Sequence, residues 1–285
     1  MASIAYPVDR SQPIGVFDSG LGGLTVVREL SQAMPAEDIV YLGDTGRVPY
    51  GIRSLEIVRR FSMQCASFLL RYRPKMIVIA CNTASAAAVE VLERAMPVAV
   101  VDAIRPGAAA AIAATSGPIG VIGTEATIKS GAYERAIRSH DAGRTVYTGS
   151  CPLLVPIIED GRGEEDPIVL KVLAEYLHDL QRLRPGAMIM GCTHYPLLAG
   201  AIAKLMGPHV ALVNSGQAAA QEAQRRLLAA GLAAEGGGRG TLRCFTTDNP
   251  ERFARLGERF GRRKIDGVQY VGTDELEAQS QPEPT

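Results

Sequence analysis

The sequence predicts an α/β protein built from two pseudo-symmetric α/β domains, each a parallel-type sheet flanked by helices, with the active site in the cleft between them. Three observations predict it. Short apolar runs of strand length alternate with stretches of helical periodicity. Short matches recur in the same order along the chain: Ile14-Gly15-Val16 as Ile119-Gly120-Val121, Tyr41 and Gly43 as Tyr147 and Gly149, Val48-Pro49 as Val155-Pro156, and Arg73-Pro74 as Arg184-Pro185. Their offsets drift slowly from 105 to 111 residues, which indicates one ancestral unit used twice with small insertions in the second copy. Finally, the apolar run 76–80 leads into Cys81-Asn82-Thr83, and 111 residues later the run 187–191 leads into Cys192-Thr193-His194.

The elements follow in order. Ile14-Gly15-Val16 opens the first strand, and Asp18-Ser19-Gly20-Leu21-Gly22-Gly23 leads from it into the first helix. The small residues there would let backbone N–H groups approach an anion at the helix start. Residues 41–51 carry the turn formers expected of a loop lining a site. Leu55, Val58, Phe61, Cys65, Phe68, Leu69 and Tyr72 keep helical spacing, as do Ile168, Val169, Val172, Leu173, Tyr176, Leu177, Leu180 and Leu183 in the second half. Each helix stops at Arg-Pro, where proline disfavours a helical residue before it and lacks the next donor. Buried strands follow at 76–80 and 187–191. A strand at 98–102 precedes a crossing at Pro106-Gly107; a strand at 210–213 precedes the return at Asn214-Ser215-Gly216. A helix over 217–232, a Gly-rich loop over 235–240 and a strand over 242–246 then complete the first domain. The expected domains are therefore 14–105 plus 214–265, and 106–213, with an arm over 1–13 and a disordered tail over 277–285.

Composition narrows the function classes. Thirty basic residues balance thirty acidic ones, so no net field draws the chain to nucleic acid or to a membrane. No uncharged apolar run approaches the roughly 18 residues of a spanning helix, and residues 1–13 do not read as a secretory signal. Five cysteines, an odd number without a C-x-x-C pair, argue against a disulfide framework or a structural zinc site. A soluble cytoplasmic protein with reduced thiols is the expectation.

The chemistry centres on two of those thiols. Free cysteine often packs as a small hydrophobe, and that reading suits Cys65 on a helix face, Cys244 in the last strand, and Cys151 in a turn before Pro152. Cys81 and Cys192 differ, because polar neighbours flank both and each repeats the other's context. Both precede expected helix starts, where a thiol pKa falls below its usual value of about 8.5. His194 adds a proton partner for Cys192. Two thiols on equivalent scaffolds could face one carbon from opposite sides, one removing a proton and the other returning one. Asp18, at a strand end, suits an ammonium group or the orientation of a neighbouring thiol; a helix N-cap is the plain alternative. Glu159 is the candidate to mirror it, against the alternative of a solvated loop carboxylate. Residues 123–130 miss a phosphate-binding loop because Ile128 stands where glycine should precede Lys129, and the glycine run after Asp18 is not a dinucleotide fingerprint.

The ordered set Asp18-Ser19-Gly20-Leu21-Gly22-Gly23, Gly43-Asp44-Thr45, Pro49-Tyr50-Gly51, Ala80-Cys81-Asn82-Thr83-Ala84, Gly123-Thr124, Cys151-Pro152 and Gly191-Cys192-Thr193-His194-Tyr195-Pro196 resembles the glutamate racemases of the aspartate/glutamate racemase family, from Ile14 to Phe260. Two departures are Ser85, where threonine is expected, and Asn214, where aspartate is commoner. The resemblance implies cofactor-independent interconversion of L- and D-glutamate, supplying D-glutamate for peptidoglycan. It implies Cys81 and Cys192 as the acid/base pair, assisted by Asp18, Glu159 and His194. Substrate contacts implied by it are Asp18, Ser19, Tyr50, Gly51, Asn82, Thr83, Thr124, Thr193 and His194, with no metal and no cofactor. Members often dimerise, and the oligomeric state stays open. Rival readings are an aspartate racemase, a single-thiol decarboxylase of related fold, and a non-catalytic amino-acid-binding protein.

Overall fold

The computed structural model describes residues 6–278. The elements are β1 (Ile14–Asp18), α1 (Leu24–Ala33), β2 (Ile39–Gly43), α2 (Leu55–Leu70), β3 (Met76–Ile79), α3 (Asn82–Ala95), β4 (Ala99–Asp102), α4 (Ile104–Ala114), β5 (Ile119–Gly123), α5 (Glu125–Lys129), α6 (Ala132–His140) and β6 (Val146–Ser150). They continue with α7 (Leu154–Glu159), α8 (Pro167–Leu183), β7 (Ala187–Gly191), α9 (Ala199–Met206), β8 (Ala211–Asn214), α10 (Ser215–Ala229), β9 (Leu242–Thr246), α11 (Pro250–Gly261), β10 (Gln269–Tyr270) and α12 (Thr273–Ala278).

Two parallel sheets result, ordered β10-β9-β2-β1-β3-β4 and β6-β5-β7-β8. The run β2-β1-β3-β4 repeats as β6-β5-β7-β8, so Ile14-Gly15-Val16 and Ile119-Gly120-Val121 lie on equivalent central strands. Central strands β1, β3, β5 and β7 carry apolar residues on both faces because helices cover both sides of each sheet. Local chemistry sets the helix boundaries. Ser54 caps α2, and Asp166 caps α8 with Pro167 in its first turn. The Asn214 carboxamide caps α10, so this departure from the commoner aspartate keeps a capping oxygen. Arg73 and Arg184, each before a proline, leave their helices at positive φ, 49° and 46°.

Several expectations need correction. Pro106-Gly107 is no crossing loop; it lies in the first turns of α4, which itself carries the chain between the sheets. Val48-Pro49 is loop whereas Val155-Pro156 is inside α7, so that matched pair shares sequence but not conformation. Strand β10 and helix α12 extend the first sheet's unit past residue 265. Residues 277–278 belong to α12 rather than to a disordered tail, and 279–285 lie outside the described residues, as do 1–5 of the arm.

One apolar cluster spans both halves, and each sheet also has a buried cluster of its own. A continuous set of buried side chains runs from Ile14 and Leu24 through Ala219 and Leu227 to Met188 and Leu198. The register aligns strand ends within each sheet: Asp18 pairs with Gly43 beside Phe17 with Ile79, and Gly123 pairs with both Ser150 and Gly191. The loops that follow these carboxyl ends therefore converge.

Candidate active site

A cavity of about 330 Å³ lies where they meet. Ser19 and Gly20 follow β1, residues 48–52 follow β2, and Cys81, Asn82 and Thr83 follow β3. From the second sheet come Thr124, Pro152, Val155, Pro156 and Glu159, together with Gly191, Cys192, Thr193 and His194 after β7. Both predicted thiols thus open onto one cavity from different sheets. They are nearly sealed from solvent, at 5% and 6% exposure.

Their surroundings are not equivalent. Cys81 is the N-cap of α3: its Sγ accepts the Ala84 N–H at 3.4 Å and lies 3.7 Å from the Ser19 hydroxyl. The expected lowering of its pKa does not occur. Burial, and then the nearby Asp18 carboxyl, push the Cys81 thiol up to about 12. Cys192 does not start an α-helix at all; a 3₁₀ turn over Tyr195–Leu198 intervenes before α9. Its partner is a side chain instead. Sγ lies 3.9 Å from His194 Nδ1, and His194 Nε2 lies 3.0 Å from Glu159 Oε1. Burial opposes a charge on His194, but the hydrogen bonds and negative charges of Cys192 and Glu159 prevail and raise it to about 10. Burial likewise opposes ionisation of Glu159, yet His194 and Arg252 hold its carboxyl below the usual range. A Cys–His–Glu relay serves one thiol and a Cys–Ser–Asp cluster the other.

Asp18 stands behind the wall and not in it. It is fully buried, absent from the cavity lining, and accepts the Gly20 N–H at 3.0 Å. Burial raises its pKa, and its Oδ1 has no hydrogen-bond partner. It does not cap α1, whose N-cap is Gly23. Its place beside Cys81 supports the expected effect on the neighbouring thiol. The glycines after it also differ from expectation. Gly22 does not line the cavity as an anion cradle; a Cβ there would sit 2.5 Å from His194 Nδ1, so glycine allows α1 to approach the Cys192 loop.

Tyr50 lines the cavity, but its hydroxyl donates to the buried Asp44 carboxylate, so ring and backbone are what it offers. Asp44 also accepts from Arg47 Nε at 2.7 Å and from the Thr247 hydroxyl at 2.8 Å. Arg47 reaches Gln64, approaches Cys65 Sγ at 3.9 Å and stacks on Phe61. Cys65 is therefore buried as expected and also serves as a polar neighbour. This network fixes the 44–52 loop. Thr83 bridges the halves through Thr124 at 2.9 Å and Thr127 at 3.0 Å. Ser85, in the first turn of α3, accepts the Ala103 N–H and donates to the Ile79 carbonyl.

Other contributors carried no sequence signal. Phe260 of α11 packs edge-on against the His194 ring at 5.1 Å, and Arg259 donates to the Ile158 carbonyl at the end of α7. The spacing of Asp44 and Arg47, three residues apart in a turn-rich loop, could have revealed their pairing. Among the described residues no group of three or more His, Cys, Asp or Glu side chains is placed to hold a metal ion.

Known proteins resemble this chain over nearly its whole length. Residues 14–223 match the Asp/Glu/Hydantoin racemase family. The glutamate racemase of Geobacter metallireducens is 43% identical over 262 residues, covering 92% of this chain and 97% of the relative. The crystal structure of glutamate racemase isoform RacE1 from Bacillus anthracis superposes with a TM-score of 0.88 at 39% identity, covering 92% of this chain and 98% of that one. Glutamate racemase from Francisella tularensis, solved in complex with D-glutamate, gives 0.86 at 36% identity, covering 93% and 99%.

Proposed function

The chain belongs to the Asp/Glu/Hydantoin racemase family, and from that premise we propose that it interconverts L- and D-glutamate by proton transfer between two thiols, without a cofactor. The observation that carries this reading is that Cys81 and Cys192 open onto one cavity from the carboxyl ends of different sheets. A thiolate on one side removes the Cα proton, and the opposing thiol delivers its proton to the other face. The reverse direction exchanges the roles.

The surroundings support an unequal start. Cys81, pushed up to about 12, begins as the neutral thiol and proton donor. The positive His194 ring 3.9 Å from Cys192 Sγ stabilises negative charge on that sulfur, and Glu159 balances the ring. Asp18, beside Cys81, helps to keep that thiol neutral. Ser19, Asn82, Thr83, Thr124 and Thr193 supply polar groups for the amino acid's charged ends, and Tyr50 and Gly51 close one wall. The Cα–H is a very weak acid, so donors fixed before reaction must stabilise the developing carbanion. Near-complete burial of both sulfurs keeps water from competing for the proton.

No helix among the described residues is long and apolar enough to cross a membrane; we place the enzyme in the cytoplasm, where its product would serve peptidoglycan synthesis and where it could act as a homodimer. The test is incubation with L-glutamate in D2O without added cofactor, following Cα–H loss by NMR together with optical rotation. Exchange with loss of rotation is expected, and L-aspartate under the same conditions should be turned over far more slowly. Folded, reduced protein that shows neither signal would overturn the assignment.

A further inference from the structure

Asn82 lines the cavity, yet its two amide atoms have opposite surroundings. Oδ1 accepts the Tyr133 hydroxyl at 2.6 Å. Nδ2 is buried and has no hydrogen-bond partner, although the residue is only 2% exposed. A buried donor left unmade is costly and is retained where a ligand satisfies it. Tyr133 comes from α6 of the other half, is itself buried, and does not line the cavity. Its ring lies against β7: a Cβ on Gly191 would fall 2.9 Å from it, so the ring has no room to swing away. Ser215, at the start of α10, sits against the same phenolic oxygen.

We propose that Tyr133 is a positioning residue for the substrate: by donating to Asn82 Oδ1 it holds the amide with Nδ2 turned into the cavity, as a donor to a carboxylate oxygen of the amino acid. The inference rests on the racemase reading of the cavity. A carboxamide free to rotate would present its oxygen to the carboxylate half of the time, replacing attraction by repulsion. Tyr133 touches neither the substrate space nor a catalytic sulfur, so its influence passes through Asn82.

The test is Tyr133→Phe, which keeps the ring and removes the hydroxyl, compared with Asn82→Ala and the double variant. KM for glutamate should rise about twofold in Tyr133→Phe, because the amide is then competent about half of the time, and roughly tenfold in Asn82→Ala, the scale of one hydrogen bond to a charged group, while kcat in Tyr133→Phe stays unchanged. The enantiomers have equal free energy, so kcat/KM must fall equally in both directions. In the Asn82→Ala background the second substitution should raise KM no further. An unchanged KM in Tyr133→Phe, or the same rise whether or not Asn82 is present, would overturn the positioning role. The second outcome would leave Tyr133 as a brace between the halves. Absence of glutamate turnover in the unaltered enzyme would instead overturn the reading on which the inference rests.

Discussion

Glu159→Gln removes the negative end of the Cys192–His194–Glu159 relay while keeping its shape. At 3.0 Å the carboxylate and imidazolium attract by about 5 kcal/mol at an effective dielectric near 20, before desolvation is subtracted. A net value of about 1.5–3 kcal/mol is the range for hydrogen bonds to charged groups, equivalent to a drop of about 1–2 pH units in the His194 pKa. The sign follows from both partners. His194 is raised from 6.5 to about 10, so its contribution is complete below 6.5 and disappears as pH rises through 10. Glu159 is held below 4.5, so its contribution is present above 4.5 and disappears as pH falls through the lowered value. The native protein should therefore exceed Glu159→Gln in stability most between pH 4.5 and 6.5, with the difference closing towards pH 10. At roughly 2–4 °C per kcal/mol the gap in Tm is about 3–12 °C. Thermal melts of both proteins across pH 5–10 measure it. Turnover at neutral pH should fall roughly 10–100-fold. A Tm difference that stays constant with pH, or none at all, would refute the charged pair.

Further expectations concern the thiols and the buried charges. Cys81→Ala and Cys192→Ala should each abolish racemisation of both enantiomers, whereas Cys65→Ala and Cys244→Ala should leave turnover largely intact; full activity in either of the first two would end the two-thiol mechanism. Asp18→Asn removes the carboxyl that, after burial, helps hold the Cys81 thiol up, so alkylation of Cys81 followed by peptide mass spectrometry should begin at lower pH than in the native protein. Lys75 and Glu37 form a fully buried ion pair at 2.6 Å that also holds the Arg10 carbonyl and the Ala234 N–H. Lys75→Met leaves that carboxylate uncompensated and should cost about 3–5 kcal/mol in urea unfolding; a loss below about 1 kcal/mol would show the pair to be dispensable.

Asp18 and Cys192 show where sequence reasoning misplaces chemistry. Asp18 was legible as functional because an acidic residue at a strand end before small residues is unusual. Its position behind Cys81 was not legible, because burial depends on which helix covers the strand end. Cys81 and Cys192 stand in matching sequence contexts, yet one caps a helix and the other does not. Pro196 follows the second thiol closely and its turn stays 3₁₀, whereas Ala84 and the alanines after it favour α3. Matching neighbours therefore did not imply matching electrostatics.

Local patterns by themselves determined the alternating elements, the duplicated α/β unit, and the two thiols at corresponding strand ends. Periodicity, helix stops and turn chemistry act over a few residues and are written in consecutive positions. Tertiary structure alone decided that the thiols share one cavity, that a relay supports only Cys192, and that Tyr133, Phe260 and Arg259 reach residues 51 to 101 positions away. Such contacts are selected by how sheets and helices pack, and burial then fixes charge states through desolvation, a quantity that no run of neighbouring residues contains.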